Sequence, residues 1–262
     1  MPPTRLRSLR HEYELYVERE IEDYKNSVKH AYLLSLADEA MRRLVTGTQM
    51  GMTELLLAAE VDRLIAGRLR LPSYDTWRKR RQRNISELQR PEHWGLPGDT
   101  PLKAALASSP GSGAALVTGA RVEGSALYLA ANGCAVTAVE PEADVVERMM
   151  QAARDAGLDA RVRGTVGELH TYLQALPPTD ALTAVVCTPA AFAGLSSFER
   201  ARVFEVLKSV TSDGGVHLVE TIVAGSSMID EDELRQQYHG WTISIVPDKG
   251  ASKTFVARKA VA

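Results

Sequence analysis

This chain has little cysteine, no regular histidine spacing, no long apolar run and almost no net charge, and each shortage excludes something. The two cysteines, Cys134 and Cys187, stand far apart and outside any CxxC spacing. That excludes a disulfide framework and a thiolate metal cluster, and leaves two reduced core thiols. The six histidines form no HxH or HxxxH pair, so no metal site is expected. No apolar run reaches the roughly 18 residues that span a bilayer. The opening MPPTRLRSLRHEYE also lacks the apolar stretch of a secretory signal. The expectation is a soluble cytoplasmic protein with no membrane partner.

What is present is a core-forming composition with an uneven charge. Hydrophobic residues make up 45% of 262 residues, enough for one large or two modest domains. The net charge of −2 hides an asymmetry. Between Val61 and Arg90 nine Lys/Arg stand against three Asp/Glu, whereas from Gly111 to Ala262 the balance is 13 against 18. A basic segment joined to an acidic half suggests two modules with different partners.

The first 90 residues read as helices. Leu9, Tyr13, Tyr16, Ile21 and Tyr24 recur at helical spacing, with a break near Asn26-Ser27. Leu33, Leu36, Ala40 and Leu44 mark a second helix, and Leu57, Val61, Leu64 and Ile65 a third that Thr53 would cap. Pro72 interrupts, and Ser73 is an N-cap for a fourth helix with Tyr74, Trp77, Ile85 and Leu88 on one side. Arg78, Lys79, Arg80, Arg81 and Arg83 fill much of the rest. Helix, short break and basic helix is the outline of a helix-turn-helix, whose cations would neutralise phosphates. Arg78, Lys79, Arg80 and Arg83 are therefore the candidate nucleic-acid contacts. The same cations also suit a solvated face, a protein partner, or docking on the acidic half, and the helices also suit assembly into a homo-oligomer. Residues 91–113 are dense in Pro, Gly and Ser and read as a linker, with one short helix at Leu102–Leu106.

From Ala114 onward strands and helices alternate. Apolar runs predict strands at Ala114–Thr118, Ala135–Glu140, Ala160–Arg163, Ala181–Cys187 and Val216–Ile222. Helices are expected between them, closed by Gly133, Gly157 and Gly214-Gly215. Asp230 with Glu233 signals a capped helix, followed by strands Trp241–Val246 and Thr254–Arg258. The expected fold class is α/β: a parallel sheet at 114–262 with an antiparallel edge hairpin, preceded by an all-helical region at 1–90.

The segment LVTGARVEGSALYLAANGCAVTAVE resembles the first motif of the class I S-adenosylmethionine-dependent methyltransferases, which have a Rossmann-like sheet. Together with the ending DEDELRQQYHGWTISIVPDKGASKTFVARK, it is most similar to the tellurite-resistance methyltransferase group. The resemblance covers roughly the last 150 residues and implies S-adenosylmethionine as cofactor. By that resemblance Gly119 is the first glycine of the cofactor loop, and Glu140, about 20 residues on, is the acid that takes the ribose hydroxyls.

The rest of the loop departs from the pattern. Val117 stands where the resemblance places an acid, Arg121 at the second glycine and Glu123 at the third, with Gly124 one position late. After the third strand only Glu168 offers a carboxylate. Arg121 with Arg163 would suit an anion, or Arg121 would pair with Glu123 or Glu140 in a closed pocket. Two readings stay open. One is a divergent methyltransferase with an unassigned acceptor. The other is a catalytically inactive methyltransferase fold, a pseudoenzyme, that binds or regulates through its basic helices.

Overall fold

The computed structural model describes residues 8–45, 54–94, 101–107, 113–119, 123–175, 181–223, 229–247 and 252–261. They fall into two compact units, Met1–Arg83 and Asn84–Ala262. Among the described residues no helix is long and apolar enough to cross a membrane.

The N-terminal unit holds α1 (Leu9–Ser27), α2 (His30–Val45), α3 (Glu54–Leu69) and the first part of α4 (Tyr74–Leu88). Its small core is Ile21, Leu36 and Ile65, with Val17, Tyr24, Leu33, Val61 and Leu69 against them. Tyr74 and Trp77 meet the Tyr13 ring, each at 5.5 Å between centroids, and the Tyr13 hydroxyl donates to the Pro72 carbonyl at 2.9 Å. The expected cap by Thr53 lies outside the described residues.

The apolar side of α4 is divided between the two units. Tyr74 and Trp77 pack on α1, whereas Ile85 and Leu88 belong to the second unit. There the Ile85 side chain lies beside Gly157, and Leu88 packs on the core. The division between units therefore falls inside a continuous helix.

The C-terminal unit is one seven-stranded sheet between helices. Its strands are β1 (Ala114–Thr118), β2 (Ala135–Glu140), β3 (Val162–Val166), β4 (Leu182–Cys187), β5 (Thr211–Val223), β6 (Thr242–Pro247) and β7 (Ser252–Arg258). The order is β3-β2-β1-β4-β5-β7-β6; the first five strands run parallel and β7 runs antiparallel to both β5 and β6. The helices are α5 (Pro101–Ala107), α6 (Glu123–Ala131), α7 (Ala143–Asp155), α8 (Leu169–Gln174), α9 (Ser197–Ser209) and α10 (Glu231–Gln237).

Alternate residues of each strand feed two core layers, as the period of two requires. Val117, Ala138, Val186 and Leu218 meet Leu102 of α5, Leu127 of α6 and Met149 of α7. Leu116, Val139, Val185 and Val219 meet Leu169 of α8, Phe204 of α9 and Leu234 of α10. Each buried Val, Leu, Met or Phe among them stabilises by about 1.5–3 kcal/mol.

Three expectations need adjusting. The third strand lies at Val162–Val166, shifted toward the C terminus because it contains Gly164, which an apolar-run reading passes over. A Cβ on Gly164 would come within 2.5 Å of Val146, so glycine there lets α7 pack on the strand. The fifth strand starts earlier than expected, at Thr211, which pairs with Leu182. In the stretch read as a linker, α5 buries Leu102 and Ala105, and Trp94 packs on the same core while its indole donates to the Leu88 carbonyl at 2.6 Å.

One polar network is sealed inside the second layer. His217 on β5 is fully buried; its Nδ1 lies 2.7 Å from the Tyr238 hydroxyl and its Nε2 2.7 Å from Thr211 Oγ1. Thr211 already donates to the Leu207 carbonyl at 2.6 Å. Thr211 therefore accepts from Nε2–H, which leaves Nδ1 to accept from Tyr238. Burial, then the nearby charges of Lys208 and Lys259, hold the imidazole pKa down to about 3, so it is neutral. His217 thus pins α10 to the sheet and serves no exposed chemistry.

Candidate functional site

In an open α/β sheet, ligands bind outside the carboxyl ends of the strands where the strand order reverses. Here that point lies between β1 and β4. Gly119 follows β1 with φ +63°, a conformation that favours glycine. Its α-carbon is also closely approached: a Cβ there would lie 2.7 Å from the Ala191 backbone nitrogen. Ala191 belongs to a 3-10 turn, Pro189–Phe192, that follows β4, and the Thr188 hydroxyl donates to the Gly119 carbonyl. The ends of β1 and β4 are therefore stitched together at the reversal point.

Glu140 ends β2 and is buried, at 8% exposure. Its carbonyl accepts from Gly167 N at 2.9 Å, which ties the end of β2 to the end of β3. Gly124 lies in the first turn of α6 with open space where a Cβ would be. Glu123 begins α6, though its side chain is outside the described set, as is Arg121 altogether. Gly119, Gly124 and Glu140 thus all lie at the carboxyl edge of the sheet. Glu168 follows β3 there as the exposed N-cap position of α8, with no side-chain cap bond.

Two members of the sequence reading are not at this edge. Val117 is buried at 1% exposure and packs in the core, so the position of the absent acid has been absorbed into the hydrophobic layer. Arg163 was expected near the end of its strand beside Arg121. It is the second residue of β3, paired with Thr137, three residues before the edge that Glu140 and Val166 define. At about 3.3 Å per residue that places its backbone roughly 10 Å from the edge, while Arg121 lies outside the described residues.

Sequence reasoning missed Thr188 and Thr221. A Pro directly after an apolar strand was a usable turn signal for the first. Thr221 has φ +58°, in a bulge where the β5–β7 register shifts between Val219 and Ile222. A β-branched residue in that region costs on the order of 1–3 kcal/mol, and such strain collects at functional edges. No periodicity announces it.

The candidate nucleic-acid contacts lie on α4. Lys79, Arg80 and Arg83 are exposed. Arg78 lies beside them with its side chain 43% exposed, its guanidinium 5.8 Å from the Tyr74 ring centroid and 3.9 Å from Asp75. Arg81 faces Glu12 of α1 at 3.6 Å. Among the described residues no group of three His, Cys, Asp or Glu is placed to hold a metal ion.

No family model and no curated protein matches the chain. Solved structures do. A candidate rRNA methylase from Clostridium thermocellum matches with a TM-score of 0.50 at 11% identity, over 64% of this chain and 99% of that one. TehB from Haemophilus influenzae matches with a TM-score of 0.50 at 15% identity, over 64% of this chain and 66% of that one. Identities this low speak to architecture alone. The parallel sheet, the reversal between β1 and β4, and the antiparallel β5-β7-β6 edge give the C-terminal unit a Rossmann-like methyltransferase fold.

Proposed function

We propose that the C-terminal unit is a divergent methyltransferase that binds S-adenosylmethionine at the carboxyl edge of β1 and β2, with an acceptor still to be assigned. The observation that carries this reading is Glu140, a buried carboxylate at the end of β2, next to the strand that bears Gly119. A carboxylate there accepts from both hydroxyls of a ribose. Gly119 supplies the sharp exit from β1.

The residues fit the nucleoside half of the ligand better than the amino-acid half, since Val117 offers no carboxylate to an ammonium group. Bound S-adenosylmethionine would supply an electrophilic methyl group. The chain's own task would be to orient it and exclude water, which needs little more than positioning.

Calorimetric titration of the intact chain with S-adenosylmethionine and S-adenosylhomocysteine tests this. Weak but saturable binding is expected for both. Glu140→Ala should weaken it at least tenfold, because hydrogen bonds to a charged group contribute about 1.5–3 kcal/mol each. Absence of heat with either ligand would favour the inactive fold instead.

A second reading, a binding protein that contacts nucleic acid, has the exposed Lys79, Arg80 and Arg83 in its favour. If these cations hold phosphates, retention on single- or double-stranded DNA or RNA should fall steeply with salt. Replacing all three by Gln should flatten that slope by close to three released counterions. Thermal stability should barely move, since surface substitutions cost about 0.5 kcal/mol or less. No retention at low salt ends this reading.

A further inference from the structure

The row of residues that closes the carboxyl edge of the sheet ends, beyond the candidate cofactor residues, on a second carboxylate. Thr118 is level with Val139 on one side and with Cys187 on the other, and Cys187 is level with Val219. One residue further along, Glu140, Gly119, Thr188 and Glu220 therefore make one row across β2, β1, β4 and β5. At about 4.8 Å per strand, the Glu220 backbone stands roughly 5 Å from Thr188 and roughly 14 Å from Glu140. The reversal point of the strand order lies between the two acids.

The backbone at Glu220 has a shape that sheet pairing alone does not require. Val219 pairs with Phe255 and Ile222 with Lys253, so Glu220 and Thr221 together oppose Thr254. Two residues against one is a β-bulge, a device that re-aims side chains beside functional sites. In a regular strand residues 219 and 221 would share a face, but here Val219 and Ile222 enter the same core layer. The extra residue leaves Glu220 half-buried and Thr221 exposed. The bulge is held with a threonine at φ +58°, where glycine would sit without strain.

The chemistry at this end of the row is one-sided. The Thr188 hydroxyl donates its proton to the Gly119 carbonyl, which leaves its oxygen to accept. The Glu220 charge reaches the end of β4, where burial, then that charge, pushes the Cys187 thiol pKa up. Both groups thus offer acceptors. Their complement is an ammonium group, which brings three donors, no acceptor and a positive charge.

We propose that Glu220 binds the methyl acceptor and that the acceptor is an amine, held by its ammonium group at Glu220 and Thr188. The word acceptor rests on the reading that S-adenosylmethionine binds at Glu140 and Gly119; the amine site itself does not.

Ligand-observed NMR on the full chain, with and without S-adenosylhomocysteine, tests this with matched probes: benzylamine against benzyl alcohol, and tyramine against its alcohol counterpart tyrosol. The amines should bind about tenfold more tightly than the alcohols, which lack the charge. Glu220→Gln keeps the size and removes the charge, and should weaken amine binding about tenfold. Affinity for S-adenosylhomocysteine, read by calorimetry, should stay within about twofold in that variant, because the two sites are far enough apart to act independently.

Amines and alcohols that bind alike overturn the proposal, and that comparison needs no variant to fold. Amine binding that survives Glu220→Gln overturns it too, as does a wild type that binds S-adenosylhomocysteine but neither amine. Glu220-dependent amine binding in a chain that takes no S-adenosylhomocysteine would remove the cofactor reading and keep Glu220 as an amine site. A chain that binds neither overturns both.

Discussion

As pH falls from 6.5 to 5 the unfolding free energy of the C-terminal unit should fall with a slope that steepens toward about 1.4 kcal/mol per pH unit, and His217→Leu should remove that slope. Burial holds the folded imidazole pKa down to about 3, against 6.5 for an ordinary histidine. The unfolded chain therefore binds a proton that the folded chain refuses. The full contribution is present above pH 6.5 and is lost as pH falls toward 3. Glu199 and Glu231 have lowered folded pKa values and add losses of the same sign, but only from about the ordinary carboxylate range downward. The window above pH 5 therefore isolates the histidine.

At pH 7 the same substitution should cost about 1–3 kcal/mol, because it leaves the Tyr238 hydroxyl buried without its acceptor. Trp241, 4.9 Å from the imidazole, gives the fluorescence signal for urea unfolding at pH 7, 6 and 5. A slope that survives in the variant would assign the titration to another group.

Gly119→Ala should be the most damaging small substitution at the candidate site, costing about 3 kcal/mol. Roughly 1 kcal/mol comes from a side chain at φ +63°. The rest comes from forcing a Cβ to within 2.7 Å of a backbone nitrogen, and overpacking of that kind costs about 1–3 kcal/mol. Ala191 has little room to retreat, since Phe192 beside it is stacked on Phe204 at 4.9 Å. Gly124→Ala is the control: nothing lies within 4 Å of its added Cβ, and alanine suits a helix, so the change should stay within about 1 kcal/mol of wild type. Urea midpoints at unchanged m-value would make the comparison. Equal tolerance of the two substitutions would show that the Thr188–Ala191 segment moves freely away from Gly119.

Where apolar runs coincide with buried strands, the sequence is a faithful guide: β1 and β2 occupy the residues their runs predict. The α10 cap is another such case, with Asp230 Oδ1 accepting from Glu233 N at 2.8 Å. The Glu233 side chain, however, turns to Arg200 of α9 at 2.7 Å and not back to the cap, because an ion pair 33 residues away outcompetes the local bond. The same long-range character hid the His217 network, whose Tyr238 partner lies 21 residues on and carries no spacing signal. The short helix α5 was legible in its stretch of prolines and glycines, whereas the burial of Leu102 and the packing of Trp94 on the same core carry no spacing signal. At the site, Glu140 and Gly119 were legible from spacing, whereas the Ala191 approach and the Thr221 bulge arise only when distant strands are brought together.

The position of β7 imposes an order on synthesis. It lies between β5 and β6, and β6 pairs with no other strand of the described sheet. As the chain emerges from the ribosome, β6 appears first and finds the edge of β5 bare but not its own partner. Until β7 follows, two apolar edges wait unpaired, an exposure that favours chaperone capture or pairing with the wrong chain. The strand order thus favours docking of β6 and β7 together, as a preformed hairpin, over strand-by-strand extension.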